Sequence, residues 1–237
     1  MLICLTGTII PQTSNYSIPT DINLRLKEYT DNILYLITDS PCDRIVFCEN
    51  SLFQHEIFAS ITYLANSLWK SFEYLTFLWD IHEIQQRWRW FGEQKILEYF
   101  IDNSKLLSWE KSFYKITGRY KVTNIKEILQ ANREMENIFF YMSPWHRRVS
   151  TAFFRSSISF FREELYGCEN NINDSKGESY QIEGIYTKIL NQKRSLTKTS
   201  KILPIFWANT GSGYRLRPFL IKDTFKQFLN KLWFYSL

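Results

Sequence analysis

Leu2-Ile-Cys-Leu-Thr-Gly-Thr-Ile-Ile10, stopped by Pro11, is a short apolar run, and its place at the head of a strand–helix alternation decides the fold. From Arg25 to Leu36, apolar residues recur at helical spacing (Leu26, Tyr29, Ile33, Leu36). Asp43-Arg-Ile-Val-Phe-Cys48 is a second compact run of strand formers, ending at once in Glu49-Asn50-Ser51. Ser71 to Phe77 is a third, and after a charged and aromatic stretch Gly92-Glu93 opens a helix through Ile96, Leu97, Phe100 and Ile101. Trp109 to Asn124 reads as a strand, a turn at Gly118 and a second extended piece, before a helix over 125–136. Strand formers at 138–141 come next, and 151–165 passes from strand into helix. A loop over 167–177, a helix over 181–190 and a basic Ser/Thr surface loop over 192–201 complete the body. Strands alternating with helices predict an α/β domain with a mostly parallel central sheet flanked by helices. We assign residues 1–218 to it and 219–237 to an amphipathic C-terminal helix, with Phe225, Phe228, Leu229, Leu232 and Trp233 on one face and Lys222, Lys226 and Lys231 beside them.

Composition narrows the function classes. The 237 residues suffice for one well-buried core, and 45% hydrophobic with 22% charged residues is ordinary for a globular chain. The 29 Lys and Arg against 24 Asp and Glu give +5, which suits anionic small ligands or a membrane surface but is small for nucleic acid. Aromatic residues reach 17%, supplying either sugar- and base-stacking platforms or a bulky core. Cys4, Cys42, Cys48 and Cys168 form no CxxC pair and read as reduced thiols. No segment approaches the roughly 20 apolar residues of a membrane span, and the start lacks a basic leader pattern. The expectation is a cytoplasmic protein, soluble or held at the inner face of the plasma membrane.

The chain has no G-x-S-x-G, HExxH, P-loop or G-x-G-x-x-G, and His55, His82 and His146 are scattered. The informative constellation is Lys115-Ile-Thr-Gly-Arg-Tyr120, at the expected carboxyl end of a strand. It sets Lys115, Thr117 and Arg119 around Gly118, a pattern of fixed positive charge and exposed backbone N–H groups that suits a diphosphate. The plain alternative is a hairpin turn with solvated cations. Thr6-Gly-Thr8, Glu49-Asn50-Ser51 and Gly92-Glu93 would join it along one sheet edge.

In order along residues 3 to 190, these pieces resemble uncharacterised bacterial glycosyltransferases found among capsule and lipopolysaccharide biosynthesis proteins. The resembling residues are Thr8-Ile-Ile-Pro11, Arg25, Ile45 to Ser51, Gly92-Glu93, Phe113 to Asn124, Thr151-Ala-Phe-Phe154, Ile182-Glu183 and Tyr186. The resemblance implies a single GT-A-like domain that transfers a sugar from a nucleotide-sugar donor to a saccharide or lipid-linked saccharide acceptor, in building a bacterial surface polysaccharide. It puts Thr8, Arg25, Glu49, Asn50, Ser51, Lys115, Thr117, Gly118 and Arg119 at the donor; Glu183, opening a helix after a loop, is the candidate general base with Glu93 as backup, its plain alternative being a helix-start carboxylate near Lys188. Such folds commonly hold a metal with Asp-x-Asp. This chain has none, so Lys115 to Arg119 are expected to neutralise the leaving diphosphate with no cofactor, a divalent metal being left open. Where relatives carry a Lys/Gly-rich loop, this chain has Arg87-Trp-Arg-Trp-Phe91, which would narrow a sugar pocket.

Two other classes stand beside this one. A single-stranded nucleic-acid binder would use Arg87 to Trp90 and the basic 192–201 stretch, against the small net charge. An inactive glycosyltransferase-like protein would result from the altered 87–91 loop. For the tail helix, packing on the core is preferred over docking at a membrane surface.

Overall fold

A computed structural model describes residues 1–11, 19–80, 82–83, 86, 89–142, 148–173, 176–209, 215–216 and 220–232. Strand β1 (Leu2–Gly7) is buried along its whole length because it is central, between β2 (Arg44–Glu49) and β4 (Ser112–Thr117), both parallel to it. Outside β2 runs β3 (Ser71–Thr76), also parallel. Beyond β4 come β7 (Phe153–Ser157), antiparallel, then β6 (Ile138–Phe139) and β8 (Lys198–Thr199). The order is β3-β2-β1-β4-β7-β6-β8, an α/β sheet that is parallel except for β7 and consistent with a GT-A-like domain.

Period-two alternation sends successive side chains of the central strands to opposite faces. Leu2 and Cys4 join a core with Val46, Phe113 and Phe154, covered by α3 (Arg89–Asn103) and α6 (Ile182–Gln192). Ile3 and Leu5 join another with Ile45 and Phe47, covered by α1 (Ile22–Asp39), α2 (Ile57–Ser67) and α4 (Ile125–Ala131). Two-sided burial is why these strands read as continuous apolar runs. The aromatic richness belongs largely to these cores: Phe113 meets Phe100, Phe161 and Phe154 with ring centres 5.1, 5.7 and 6.2 Å away.

Several boundaries differ from the sequence reading. Helix α1 starts at Ile22 because Asp21 caps it, its side chain accepting from Leu24 N at 2.8 Å. Helix α3 begins at Arg89, so Gly92-Glu93 lie inside it; an added Cβ on Gly92 would stand 3.3 Å from Asn50 Nδ2. Helix α4 stops at Ala131, where the buried Asn132 turns its amide onto Ile128 O and Ser200 Oγ. The 192–201 segment is not a simple surface loop: Lys198–Thr199 pair with β6 at the sheet edge, and Thr197 and Ser200 are buried. Strand β7 opens the 151–165 segment as expected and leads into α5 (Ile158–Phe160), which continues as a π turn over Phe161–Leu165.

A small sheet, β10-β9-β5 (Arg215–Leu216, Phe206–Asn209, Lys121–Val122), and α7 (Leu220–Lys231) complete the described chain. Trp233, like Arg87, Trp88 and His146, lies outside the described residues. Among the described residues no helix is long and apolar enough to cross a membrane.

Candidate functional site

The chain leaves β1 toward β2 on one side, while β4 lies on the other. The carboxyl ends of β1 and β4 therefore border the crevice where open α/β sheets bind ligands. The antiparallel β7 brings its preceding residues to the same edge, with Thr117 N donating to Ala152 O at 2.9 Å. A cleft of about 610 Å³ opens there, lined by Thr6 and Gly7 of β1 and by Thr8 just after it, from α3 by Glu93, and from α6 by Glu183. That size accommodates a small-molecule substrate.

At the β1–β4 side, Arg25 crosses from α1 and donates through Nε to Thr8 O at 2.8 Å. Thr8 Oγ1 donates to Asn50 Oδ1 at 2.6 Å, and both line the cleft. Arg119 also lines it, paired through Nη1 with Glu28 at 2.9 Å, and Thr117 stands beside it. Five of the expected donor residues, Thr8, Arg25, Asn50, Thr117 and Arg119, thus line the cleft together.

The other four do not reach the cleft. Lys115 is fully buried, its ammonium donating to Glu93 Oε1, to Thr117 Oγ1 at 3.0 Å and to Thr151 O at 2.5 Å. An ammonium has three protons, and all are used inside the domain. Gly118 offers no exposed N–H, since its nitrogen donates to Thr6 O at 2.8 Å; an added Cβ there would come within 2.7 Å of that oxygen, so close strand approach explains the glycine. Glu49 is fully buried and Ser51 Oγ accepts from Ile10 N at 3.0 Å; both build the turn after β2. The cations expected to meet a diphosphate therefore reduce, within the motif, to Arg119.

Glu183 also lines the cleft, in the first turn of α6 and only 5% exposed. Oε1 accepts from Thr151 Oγ1 across a long 3.5 Å contact, while Oε2 has no hydrogen-bond partner and lies 3.6 Å from Arg148 Nη2. Burial, the largest influence, pushes its carboxyl up to about 7; Glu93 adds to the rise, while its own backbone N–H, Arg148 and Lys115 oppose it. A buried, under-bonded carboxylate with affinity for a proton near neutrality, in the lining of a cleft, is equipped to accept one.

Arg148 and Thr151 carried no assigned role in the sequence reading. Arg148 lines the cleft and donates to Gln181 Oε1 at 2.7 Å and pairs with Glu178 at 3.2 Å, fastening the start of α6. Nothing in its sequence context marks it. Lys226 of α7 also reaches the cleft, a contact that spacing within α7 does not reveal. Of the 87–91 segment, Phe91 packs in the core with its edge to Trp79, ring centres 5.3 Å apart, and does not line the cleft.

At the end of β4 the cleft is lined by Thr117 and Arg119, and elsewhere by the carboxylates of Glu93 and Glu183. No family model matches the chain, and no curated protein matches it. Fold and cleft together define an α/β domain whose cleft, at the carboxyl ends of its central strands, is lined by Arg25, Arg119 and Arg148 as well as by the carboxyls of Glu93 and Glu183.

Proposed function

We propose that the protein is a glycosyltransferase moving a sugar from a nucleotide-sugar donor to a hydroxyl of a saccharide acceptor, in the synthesis of a bacterial surface polysaccharide. The observation that supports this most is Glu183: a buried carboxylate with one oxygen that receives no hydrogen bond, in the same cleft as Arg25 and Arg119. In the reaction, the acceptor hydroxyl gives its proton to Glu183 as its oxygen attacks the anomeric carbon. The bond from that carbon to the diphosphate oxygen breaks, and its electrons leave with the nucleoside diphosphate. Arg25 and Arg119 stabilise the charge that develops there, without a metal at the end of β4. One displacement on the face opposite the leaving group inverts the anomeric centre. Polysaccharide synthesis as the setting rests on the sequence resemblance.

A thermal-shift panel of nucleoside diphosphates and nucleotide sugars, with and without Mn²⁺, tests the donor site. One nucleotide class is expected to raise the melting temperature in both conditions and to lose that effect in Arg119→Ala. A panel without any stabilising nucleotide would sink the reading.

A further inference from the structure

Helix α7 is fastened to the domain by its polar side. Gln227 makes paired hydrogen bonds with the backbone of Leu203, donating to O at 2.8 Å and accepting from N at 2.9 Å. Asn230 is buried and donates to Ser200 O at 2.9 Å and Lys201 O at 3.3 Å. Of the described apolar series Leu229 alone packs against the core, and Lys226 reaches the cleft. At 100° per residue these anchors leave Phe225, Phe228 and Leu232 on the far side, and they are 58, 55 and 51% exposed. The expected packing of the whole apolar face on the core is thus corrected: the best-patterned apolar stripe of the tail points outward.

We propose that this stripe docks on an anionic lipid bilayer, the two rings and the leucine entering the headgroup boundary while Lys222 and Lys231 contact anionic headgroups. The helix carries Lys222, Lys226 and Lys231 against Asp223 as its one acid. Apolar rings flanked by lysines match an anionic lipid surface. A second copy fits less well, because a two-fold contact through this face would set Lys222 and Lys231 of one copy close to those of the other. Since Lys226 lies on the same helix and lines the cleft, docking brings the cleft close to the bilayer, where a lipid-linked acceptor is presented. That consequence rests on the glycosyl-transfer reading; the docking does not.

The test is flotation of the full chain with vesicles of phosphatidylcholine alone and of phosphatidylcholine mixed with phosphatidylglycerol. The wild type is expected to float with the mixed vesicles only, and less as salt is raised. Phe225→Ser/Phe228→Ser/Leu232→Ser should lower that partition by about tenfold or more with an unchanged melting temperature, and Lys222→Gln/Lys231→Gln should lower it without touching the apolar stripe. No flotation with mixed vesicles, or flotation of the triple variant equal to wild type, overturns the proposal. So does light scattering that finds a wild-type dimer turned to monomer by the triple substitution, which would give the face to a second copy. Turnover on a water-soluble acceptor separates the two readings: equal rates for wild type and triple variant keep docking apart from chemistry, and no turnover by either overturns glycosyl transfer alone, because flotation uses neither donor nor acceptor.

Discussion

Two buried glutamates sit at the same edge of the sheet, one at the end of β2 and one at the start of α6, and they are equipped in opposite ways. Glu49 is enclosed by donors: Ser51 N and Oγ on one oxygen, Phe53 N, Tyr74 OH and Thr76 Oγ1 on the other. Glu183 has one long hydrogen bond from Thr151 and an oxygen with none. A buried charge is tolerable when hydrogen bonds replace its lost water. Glu49 meets that condition and so builds the turn, whereas Glu183 falls short of it and so binds a proton readily.

The largest effect that could break this contrast is on turnover. Glu183→Gln should lower kcat by about 10²–10⁴-fold, the usual contribution of a positioned general base. In the wild type the acid limb of the pH–rate profile should fall near the carboxyl's own value of about 7. Near-normal turnover of the folded glutamine variant would remove Glu183 from the chemistry.

Next in size is stability at Glu49. Replacing it by Ala strands several buried donors and should cost about 3 kcal/mol or more in denaturant unfolding. A loss within the usual surface range of roughly 0.5 kcal/mol would show that the turn after β2 does not depend on this carboxylate.

Glu183 should respond with the opposite sign. The unfolded chain releases this proton near the ordinary 4.5, the folded one only near 7. Between those values the folded state binds more protons, so its stability falls as pH rises, and the deficit is complete above the folded value. Glu183→Gln lacks that penalty and should be more stable than wild type at pH 8 by roughly 1–3 kcal/mol, with little gain at pH 4. A stability difference that does not vary with pH would count against the raised carboxyl.

The smallest predicted effect concerns Arg148. Its positive charge opposes the rise at Glu183, so Arg148→Met should move the acid limb of the rate profile to higher pH by about half a unit to one unit. A simple loss of rate at every pH, with the limb unmoved, would confine Arg148 to fastening α6.

Much of the frame is legible in local chemistry. The apolar runs at β1 and β2, Pro11 and the helical spacing of Tyr29, Ile33 and Leu36 are short-range signals, and they suffice for an α/β sheet with helices on both faces. The cleft's position is legible as well, because strand ends in such sheets border it. Less visible was which polar residue faces the cleft. Lys115 and Arg119 are four residues apart in one motif, yet one is spent on Glu93 and Thr151 while the other lines the pocket. The 192–201 stretch reads as a loop because its pairing partner, β6, is about 60 residues away.

By itself the sequence determined the class of fold, the strands at its centre, and a set of candidate residues of which some line the cleft, since these depend on hydrophobic periodicity and turn chemistry within a few residues. Only the tertiary structure decided that Lys115 is a buried counter-ion, that Glu49 is saturated, that Glu183 is not, and that the rings of α7 point outward. Each is a question of which distant donors, acceptors and apolar surfaces meet a side chain, and folding settles that through contacts that no local pattern encodes.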